Sequence, residues 1–590
     1  MRIVCEMKKI YTMYKYIFSK TQSFFWVFTI HNLLGGIISA IINVYLIMQI
    51  FNIIEQGLYI GKLILVLLLI CMLEIFMQVL SSIYNHRYMP TQMHRLIANF
   101  HSEFMDKAVS VDLECYDNEE YYNDFIISLE KGEQCIEDSV NVLAIFINRI
   151  ICIFTMFPLL YNINIFMFFA TFFAVIVSTA LQVKLNQYYY SRYLKMSKAI
   201  RQNSYIMTRF AFWEYAQELR LNNFPAILME EFEKSYQDMN DCIKHNSLKI
   251  VVVTFLKSNI AYVILDFVIN SILIYNLMGT NRISLAVYTT MLNAIFTIRQ
   301  YLMELGDNFS RISENSVYFE KIKSFFEFEN KVVDGPIEEI GDLKTIKIEN
   351  ISFKYPHSDN VILKNFTLEV QAGEKIAIVG LNGSGKSTLV KLLLRLYDVT
   401  SGKIYYNGKN IKEYNLERYR KNIGVVFQDY NMYALSLEEN VMMDETIGND
   451  KKIEFVLDSF NVFNQKYDIK REISTEFEND GIALSGGQAQ KIALSRVLAK
   501  DFKLIILDEP TSALDPYAEE HLNKMLLEEM QDITVIFISH RLTTTTIADR
   551  IYYLEDGSVV ESGSHTELLN LGGKYANLYN VQAEKYRTSK

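Results

Sequence analysis

The chain has 590 residues, half of them hydrophobic and only 21% charged, with a formal net charge of −10 at pH 7. That length exceeds a single domain, the apolar balance is high for a water-soluble protein, and the acidic excess argues against a nucleic-acid binder. Seven of the 24 glycines lie in residues 1–330 and 17 in the remainder, so the two halves are built differently. All six cysteines fall at or before Cys242 and none shows CxxC spacing, which suggests neither a zinc site nor a redox pair.

In chain order, residues 1–22 alternate lysines with Tyr and Ile and have no small-residue cleavage site after them. An amphipathic helix on a membrane surface is expected there rather than a cleaved signal. Phe24–Ile54 contains no Asp, Glu, Lys or Arg, enough helix to cross a bilayer. Leu63–Tyr84 follows, with Glu74 its one charged residue, and then apolar runs at Val140–Leu160, Tyr161–Val183, Ile250–Met278 and Ile283–Met303. Six spans are expected. Arg2, Lys8, Lys9, Lys15 and Lys20 precede the first, and the charge-rich connections 85–139 and 184–249 share their side, which predicts a cytoplasmic N-terminus and a cytoplasmic C-terminal half.

Ionisable residues inside apolar spans usually face the bundle interior or pair there. Glu74 and Arg149 sit at comparable depths on adjacent spans and are expected to pair. Lys257 and Asp266, nine residues apart, lie on opposite helix faces about 13 Å apart along the axis and should not.

From residue 343 the pattern becomes α/β. "EKIAIVG" (Glu374–Gly380) is a short apolar strand, and "LNGSGKSTLVKLLLRLY" turns from it into a helix. Gly380, Gly385, Lys386 and Ser387 match GxxxxGK[ST], in which glycines let backbone N–H groups curl around phosphates. Lys386 adds a point charge at the β- and γ-phosphates, and the Ser387 hydroxyl is a Mg²⁺ ligand. "KLIILDEP" (Lys503–Pro510) reads as a buried parallel strand with Asp508 at its carboxyl end, suited to hold Mg²⁺ through water. Glu509 is placed to polarise the attacking water as general base.

A second glycine turn opens a helix at "LSGGQAQKIALSR" (Leu484–Arg496). Together with the phosphate loop, LDE, "SALD" (Ser512–Asp515) and "ISH" ending at His540, it resembles the ATP-binding cassette (ABC) transporters. Six spans followed by one cassette resemble an exporter half-transporter over essentially the whole chain. The fold implied is a helical membrane domain plus an α/β P-loop nucleotide-binding domain. Its segments are an N-terminal elbow (1–22), a six-helix membrane domain with two long cytoplasmic loops (23–320), a linker (321–342) and the cassette (343–590).

The resemblance also implies roles. Ser485, Gly486, Gly487 and Gln488 would bind the γ-phosphate of an ATP held on the other subunit's phosphate loop, which explains two glycine turns in one chain. Asn382, Gly383, Ser384 and Thr388 complete that loop with Gly380, Gly385, Lys386 and Ser387. Tyr355 matches the aromatic that stacks on adenine, Gln428 the glutamine that contacts Mg²⁺ and water, Asp515 the residue that communicates between sites, and His540 the histidine on the γ-phosphate. One stretch departs from the pattern: "TEFENDG" (Thr475–Gly481) stands where many exporters carry a TEVGERG-like segment that meets the membrane domain's loops. "VDLECYDNEEYYNDF" (Val111–Phe125) and "FWEYAQELRLNNF" (Phe212–Phe224) resemble the loop tips that dock on cassettes, the second on the opposite subunit.

The implied activity is ATP hydrolysis driving export across the cytoplasmic membrane, with ATP and Mg²⁺ as cofactors and membrane lipid and a second half-transporter as partners. A homodimer is expected and a heterodimer is the alternative. The few charges in the spans favour an amphipathic or hydrophobic cargo, a peptide first, with lipid flipping or multidrug efflux next and an ATP-gated channel behind them. A soluble cassette ATPase would lack the spans, an importer would keep permease and cassette on separate chains, and a leader-cleaving exporter would need an N-terminal protease domain.

Overall fold

The computed structural model describes residues 2–587, leaving out 20, 58, 164, 213–214, 222, 260–262, 264, 280–282, 357, 445–449, 464, 475–480, 511–518, 520–523, 525–531 and 540–544. The chain divides into two compact units, one comprising Met1–Val109 with Asn123–Phe328 and the other Ser110–Tyr122 with Glu329–Lys590.

The first unit is helical. α1 (Arg2–Ser19) buries Met13 and Ile17, while Lys9 pairs with Glu320 and the Tyr14 hydroxyl donates to the Ser139 carbonyl at 3.0 Å. α2 (Gln22–Ala40) passes through a π turn (Ile41–Leu46) into α3 (Ile47–Glu55). α4 (Ile60–Ile83) likewise passes through Tyr84–Tyr88 into α5 (Met89–Ser110). After the tip come α6 (Glu119–Ile163), α7 (Ile165–Ala211), α8 (Ala216–Leu221), α9 (Phe224–Ser258), α10 (Leu265–Ile274) and α11 (Leu285–Glu327). Among the described residues three helices are long and apolar enough to cross a membrane, Ser23–Glu55, Ile60–Ser110 and Tyr121–Met156, and Asp266–Met278 is a shorter apolar helix. No residue in the most apolar stretch of Ile60–Ser110 is fully buried by its own chain, and Leu65, Leu67, Leu68 and Leu69 are exposed, as lipid contact requires. The 47 residues of α7 reach about 70 Å at 1.5 Å per residue, roughly twice the thickness of a bilayer's hydrocarbon core.

Adjacent glycines set one helix approach. A Cβ on Gly36 would lie 2.9 Å from the Asn148 carbonyl oxygen and 3.2 Å from Ile151, so α2 touches α6 only because no side chain stands there. The Cys152 thiol donates to the Gly36 carbonyl across that contact at 3.2 Å.

The expected Glu74–Arg149 pair does not form. Arg149 on α6 binds Glu304 on α11, with its guanidinium 4.5 Å from the Tyr301 ring centroid and Nη1 donating to Asn148 at 3.1 Å; Glu74 is exposed. Equal depth on neighbouring spans says nothing about which face each residue occupies. Lys257 and Asp266 do stay apart. Lys257 donates to Gln182 of α7 at 2.5 Å and lies 3.6 Å from Asp307, while Asp266 pairs with Arg299. Thus α11 presents Arg299, Glu304 and Asp307 to three opposite charges on α10, α6 and α9.

The second unit holds two sheets. β1 (Thr345–Lys354), β2 (Val361–Gln371), β4 (Ser401–Tyr406) and β5 (Lys409–Asn410) form an antiparallel sheet in the order β2-β1-β4-β5. The other has the order β10-β9-β3-β8-β7-β6 and comprises β3 (Lys375–Gly380), β6 (Ile423–Val426), β7 (Leu504–Asp508), β8 (Thr534–Ile538), β9 (Arg550–Glu555) and β10 (Ser558–Gly563). From β9 to β6 every neighbouring pair is parallel, and β10 closes the edge antiparallel. β3, β7 and β8 are buried at every position, as strands covered on both faces must be, and so read as continuous apolar runs. α12 (Lys386–Leu393) follows β3 directly, α13 (Leu416–Lys421), α14 (Leu437–Met442) and α15 (Asp450–Ser459) come after it, and α16 (Gly486–Leu498) lies in the core with Ile492, Leu494 and Val497.

Candidate functional site: a phosphate loop on a parallel sheet

β3 ends at Gly380, and a loop turns back into α12, whose cap residue Gly385 stands at φ 101° with no side-chain cap. Gly383 (φ 83°) and Gly385 occupy left-handed backbone that L side chains rarely adopt. A Cβ on Gly380 would meet the Leu554 carbonyl oxygen at 2.3 Å. With no side chain on its cap residue, the open end of α12 aims bare N–H groups and the positive end of its dipole into the loop.

Two side chains show what this cradle lacks. The Ser384 hydroxyl is buried with no hydrogen-bond partner among the described residues, a cost that a bound acceptor would remove. Lys386, only 8% exposed, donates to the carbonyls of Gly380 and Leu381, each at 2.9 Å. Burial lowers its pKa, and the nearby carboxylates of Glu509 and Asp508 oppose that shift. An ammonium held on two loop carbonyls is poised to exchange them for phosphate oxygens, so the residues present fit a triphosphate.

Asp508 ends β7, 4% exposed, with the Ser387 hydroxyl close enough to favour its charged form. Burial raises its pKa; the Ser387 hydroxyl and Lys386 oppose this, and Glu509 and Asp429 add to it. Among the described residues no three His, Cys, Asp or Glu side chains gather into a metal cage. A single carboxylate beside a hydroxyl is instead the sparse oxygen set that suits Mg²⁺, which keeps waters and takes substrate phosphates as ligands.

Glu509 is half-buried at φ 50°, with its N–H donating to the Ile538 carbonyl at 2.8 Å. Left-handed backbone at a non-glycine residue stores strain, a pattern that clusters at active sites. Tyr355 reaches α12: its hydroxyl lies 3.1 Å from the Thr388 hydroxyl, and Lys391 Nζ is 5.4 Å from its ring centroid. Asn382 and Gly383 are exposed at the loop's outer rim, and Gln428 is exposed just after β6.

Ser485 caps α16 with a reciprocal box, accepting from the Gln488 N–H at 3.3 Å while its own N–H donates to Gln488 Oε1 at 2.9 Å. Ser485 and Gly486 are exposed, and the Tyr430 hydroxyl donates to the Gly486 carbonyl at 3.1 Å, tying the segment after Gln428 to this turn. Gly487 follows within the first turn of α16. Asp515, His540 and the 475–480 part of the "TEFENDG" stretch lie outside the described residues.

Sequence reasoning missed the surroundings of the first loop tip. Leu113–Asp117 is a short 3₁₀ turn, and the Tyr397 hydroxyl donates to Asp117 at 2.8 Å. Asp112 accepts from the N–H groups of Lys331 (2.6 Å) and Val332 (2.9 Å), and Lys331 also pairs with Glu114. These partners are more than two hundred residues apart, and no local pattern announces them.

A glycine loop between a parallel strand and a helix, with an acid ending the strand two places away in the same sheet, defines a P-loop nucleotide-binding domain. Residues 363–512 match the ABC transporter family model. A "Putative multidrug export ATP-binding/permease protein" of Staphylococcus aureus is 36% identical over 266 residues, 45% of each chain. The nisin transport ATP-binding protein NisT of Lactococcus lactis subsp. lactis is 33% identical over 379 residues, 62% of each chain. The matched part thus spans less than two thirds of these relatives. A bacterial Atm1-family ABC exporter with ATP bound superposes with a TM-score of 0.79 at 20% identity, covering 94% of this chain and 98% of that one, which gives the fold. Residues 363–512 thus form an ABC transporter domain, carried on one chain with the helical unit.

Proposed function

We propose that this protein is an ATPase that drives export of an amphipathic cargo, a peptide first, across the cytoplasmic membrane by alternating access. The observation that carries the reading is the unsatisfied cradle, where Ser384 lacks an acceptor and Lys386 rests on loop carbonyls.

The β- and γ-phosphates enter the loop at Asn382–Thr388. Lys386 leaves the carbonyls of Gly380 and Leu381 for phosphate oxygens, and Tyr355 stacks on adenine. Ser387 and Asp508 hold Mg²⁺, which draws charge from the phosphates when bound. Glu509 takes a proton from the attacking water, while Gln428 and His540 orient water and γ-phosphate. Ser485 and Gly486, both exposed, with Gly487 and Gln488 of a second copy close over the same ATP, with Asp515 between the two sites, so closure of the pair is tied to nucleotide. A homodimer is the simplest assembly, and a related half-transporter is the second. Peptide cargo accords with a relative named for nisin transport and drug efflux with one named for multidrug export.

The test is ATP-dependent uptake of a labelled cationic peptide, a lipid analogue and a dye into inverted vesicles carrying the protein. Uptake of the peptide, lost in Glu509→Gln while ATP still binds, is the expected result. Uptake of the dye or lipid alone replaces the peptide reading, and uptake that persists in Glu509→Gln overturns the mechanism.

A further inference from the structure

Three aromatic rings stand between the phosphate-loop helix and the first loop tip. Tyr355 and Tyr397 meet edge to face, with centroids 5.4 Å apart and planes at 88°. Phe353 sits against both, at 5.1 Å from Tyr355 and 5.8 Å from Tyr397. Lys391 of α12 lies over both tyrosines, 5.4 Å and 5.9 Å from their centroids. Each tyrosine has its hydroxyl committed at the far end, Tyr355 to Thr388 on α12 and Tyr397 to Asp117 on the tip. Tyr397 is 4% exposed, so its ring cannot swing without displacing neighbours.

The tip is anchored on its other side as well. Asn330 donates to the Ser110 carbonyl at 2.6 Å, Asp112 accepts from the backbone just beyond α11, and Cys115 is buried beneath. This short turn is the covalent bend between α5 and α6. Movement at Asp117 is therefore movement of the bend that joins two helices of the membrane unit.

We propose that Tyr397 is a positioning residue that ties the nucleotide base to the first loop tip: it packs edge-on against Tyr355 and is held by Asp117, so occupancy of the base site orders Leu113–Asp117. This rests on the reading that Tyr355 stacks on adenine. The physical argument is mutual restraint. A base laid on the Tyr355 ring narrows the orientations of that ring, and with them those of Tyr397, whose hydroxyl direction decides whether the Asp117 bond is made. By reciprocity the Asp117 bond pre-orients the ring on which the base lands, so the tip affects base affinity by the same factor. Phosphate binding at Asn382–Thr388 meets this route only at the Thr388 hydroxyl and lays nothing on the Tyr355 ring, so the coupling carried by the ring is specific to ligands that carry a base.

That difference supplies the test. The full-length protein in lipid nanodiscs is titrated by calorimetry with ATP and with inorganic triphosphate, both without Mg²⁺. Tyr397→Phe keeps the ring and removes only the hydroxyl; Asp117→Asn changes an exposed side chain. Each should weaken ATP by about 2- to 10-fold, the range of one hydrogen bond, and leave the triphosphate dissociation constant unchanged. In a Tyr355→Ala background, Tyr397→Phe should have no further effect on ATP. Hydrogen exchange at residues 113–117 should slow with ATP and not with triphosphate, and that protection should vanish in Tyr397→Phe. Equal weakening of both ligands, additive losses with Tyr355→Ala, or equal protection by triphosphate overturns the proposal. If Tyr355→Ala itself leaves ATP affinity untouched, the stacking assignment fails. If Tyr355→Ala weakens ATP and Tyr397→Phe does not, the stacking stands and the link to the tip fails.

Discussion

Arg149→Ala and Glu304→Ala should not be equivalent, although they break the same ion pair. Losing Arg149 leaves the Glu304 carboxylate, 31% exposed, with Gln300 at 3.3 Å as its remaining donor. Losing Glu304 leaves Arg149, 28% exposed, with the Asn148 oxygen at 3.1 Å and the face of Tyr301 at 4.5 Å. A cation over a tyrosine retains roughly 0.5–2 kcal/mol, so the arginine is the better compensated orphan. Full burial would make breaking the pair cost about 3–5 kcal/mol and full exposure about 0.2–1 kcal/mol. At these intermediate exposures we expect about 2–3 kcal/mol for Arg149→Ala, about 1–2 kcal/mol for Glu304→Ala, and a coupling of about 1 kcal/mol in the double variant. Thermal unfolding of the purified protein in nanodiscs reads all three, with shifts of a few degrees. Glu74→Ala serves as the control, exposed and additive with Arg149→Ala. Strict additivity between Arg149→Ala and Glu304→Ala, or coupling of Arg149 to Glu74 instead, would refute the reasoning.

Further outcomes follow from the same geometry. Gly385→Ala should weaken ATP binding by at least about tenfold, since left-handed backbone costs an L residue about 1–2 kcal/mol and the new Cβ would lie 2.7 Å from Leu363 Cδ2; calorimetry with ATP measures it. Lys386→Ala should weaken ATP and inorganic triphosphate alike, whereas Tyr355→Trp should preserve ATP affinity because a ring face remains; the same titrations decide both. Glu509→Gln should lower the ATPase rate by about 10²–10⁴-fold with ATP affinity intact, and a phosphate-release assay beside a binding isotherm checks the pairing. Gly36→Val should lower the yield of folded protein, because its side chain would enter the space of the Asn148 carbonyl; size-exclusion profiles in detergent reveal it.

The cassette was legible because its chemistry is local. GxxxxGKS demands glycines and a lysine within eight consecutive residues, and the apolar runs of β3, β7 and β8 reflect burial on both faces, which composition alone reveals. Likewise, charge-free stretches such as Phe24–Ile54 announce themselves by length. What the chain could not disclose in one dimension was partnership. Which carboxylate meets Arg149 depends on the rotation of α6 and α11 about their axes, and a residue's depth in its span carries no information about that angle; hence Glu304, not Glu74. Tyr397 and Asp117 stand 280 residues apart and become neighbours only once the α5–α6 bend packs with the cassette. Hydrogen-bond partners and ring contacts are properties of that packing, so they had to wait for the tertiary structure. The phosphate loop is different: its backbone bends the way its own glycines allow, and its sequence was already its shape.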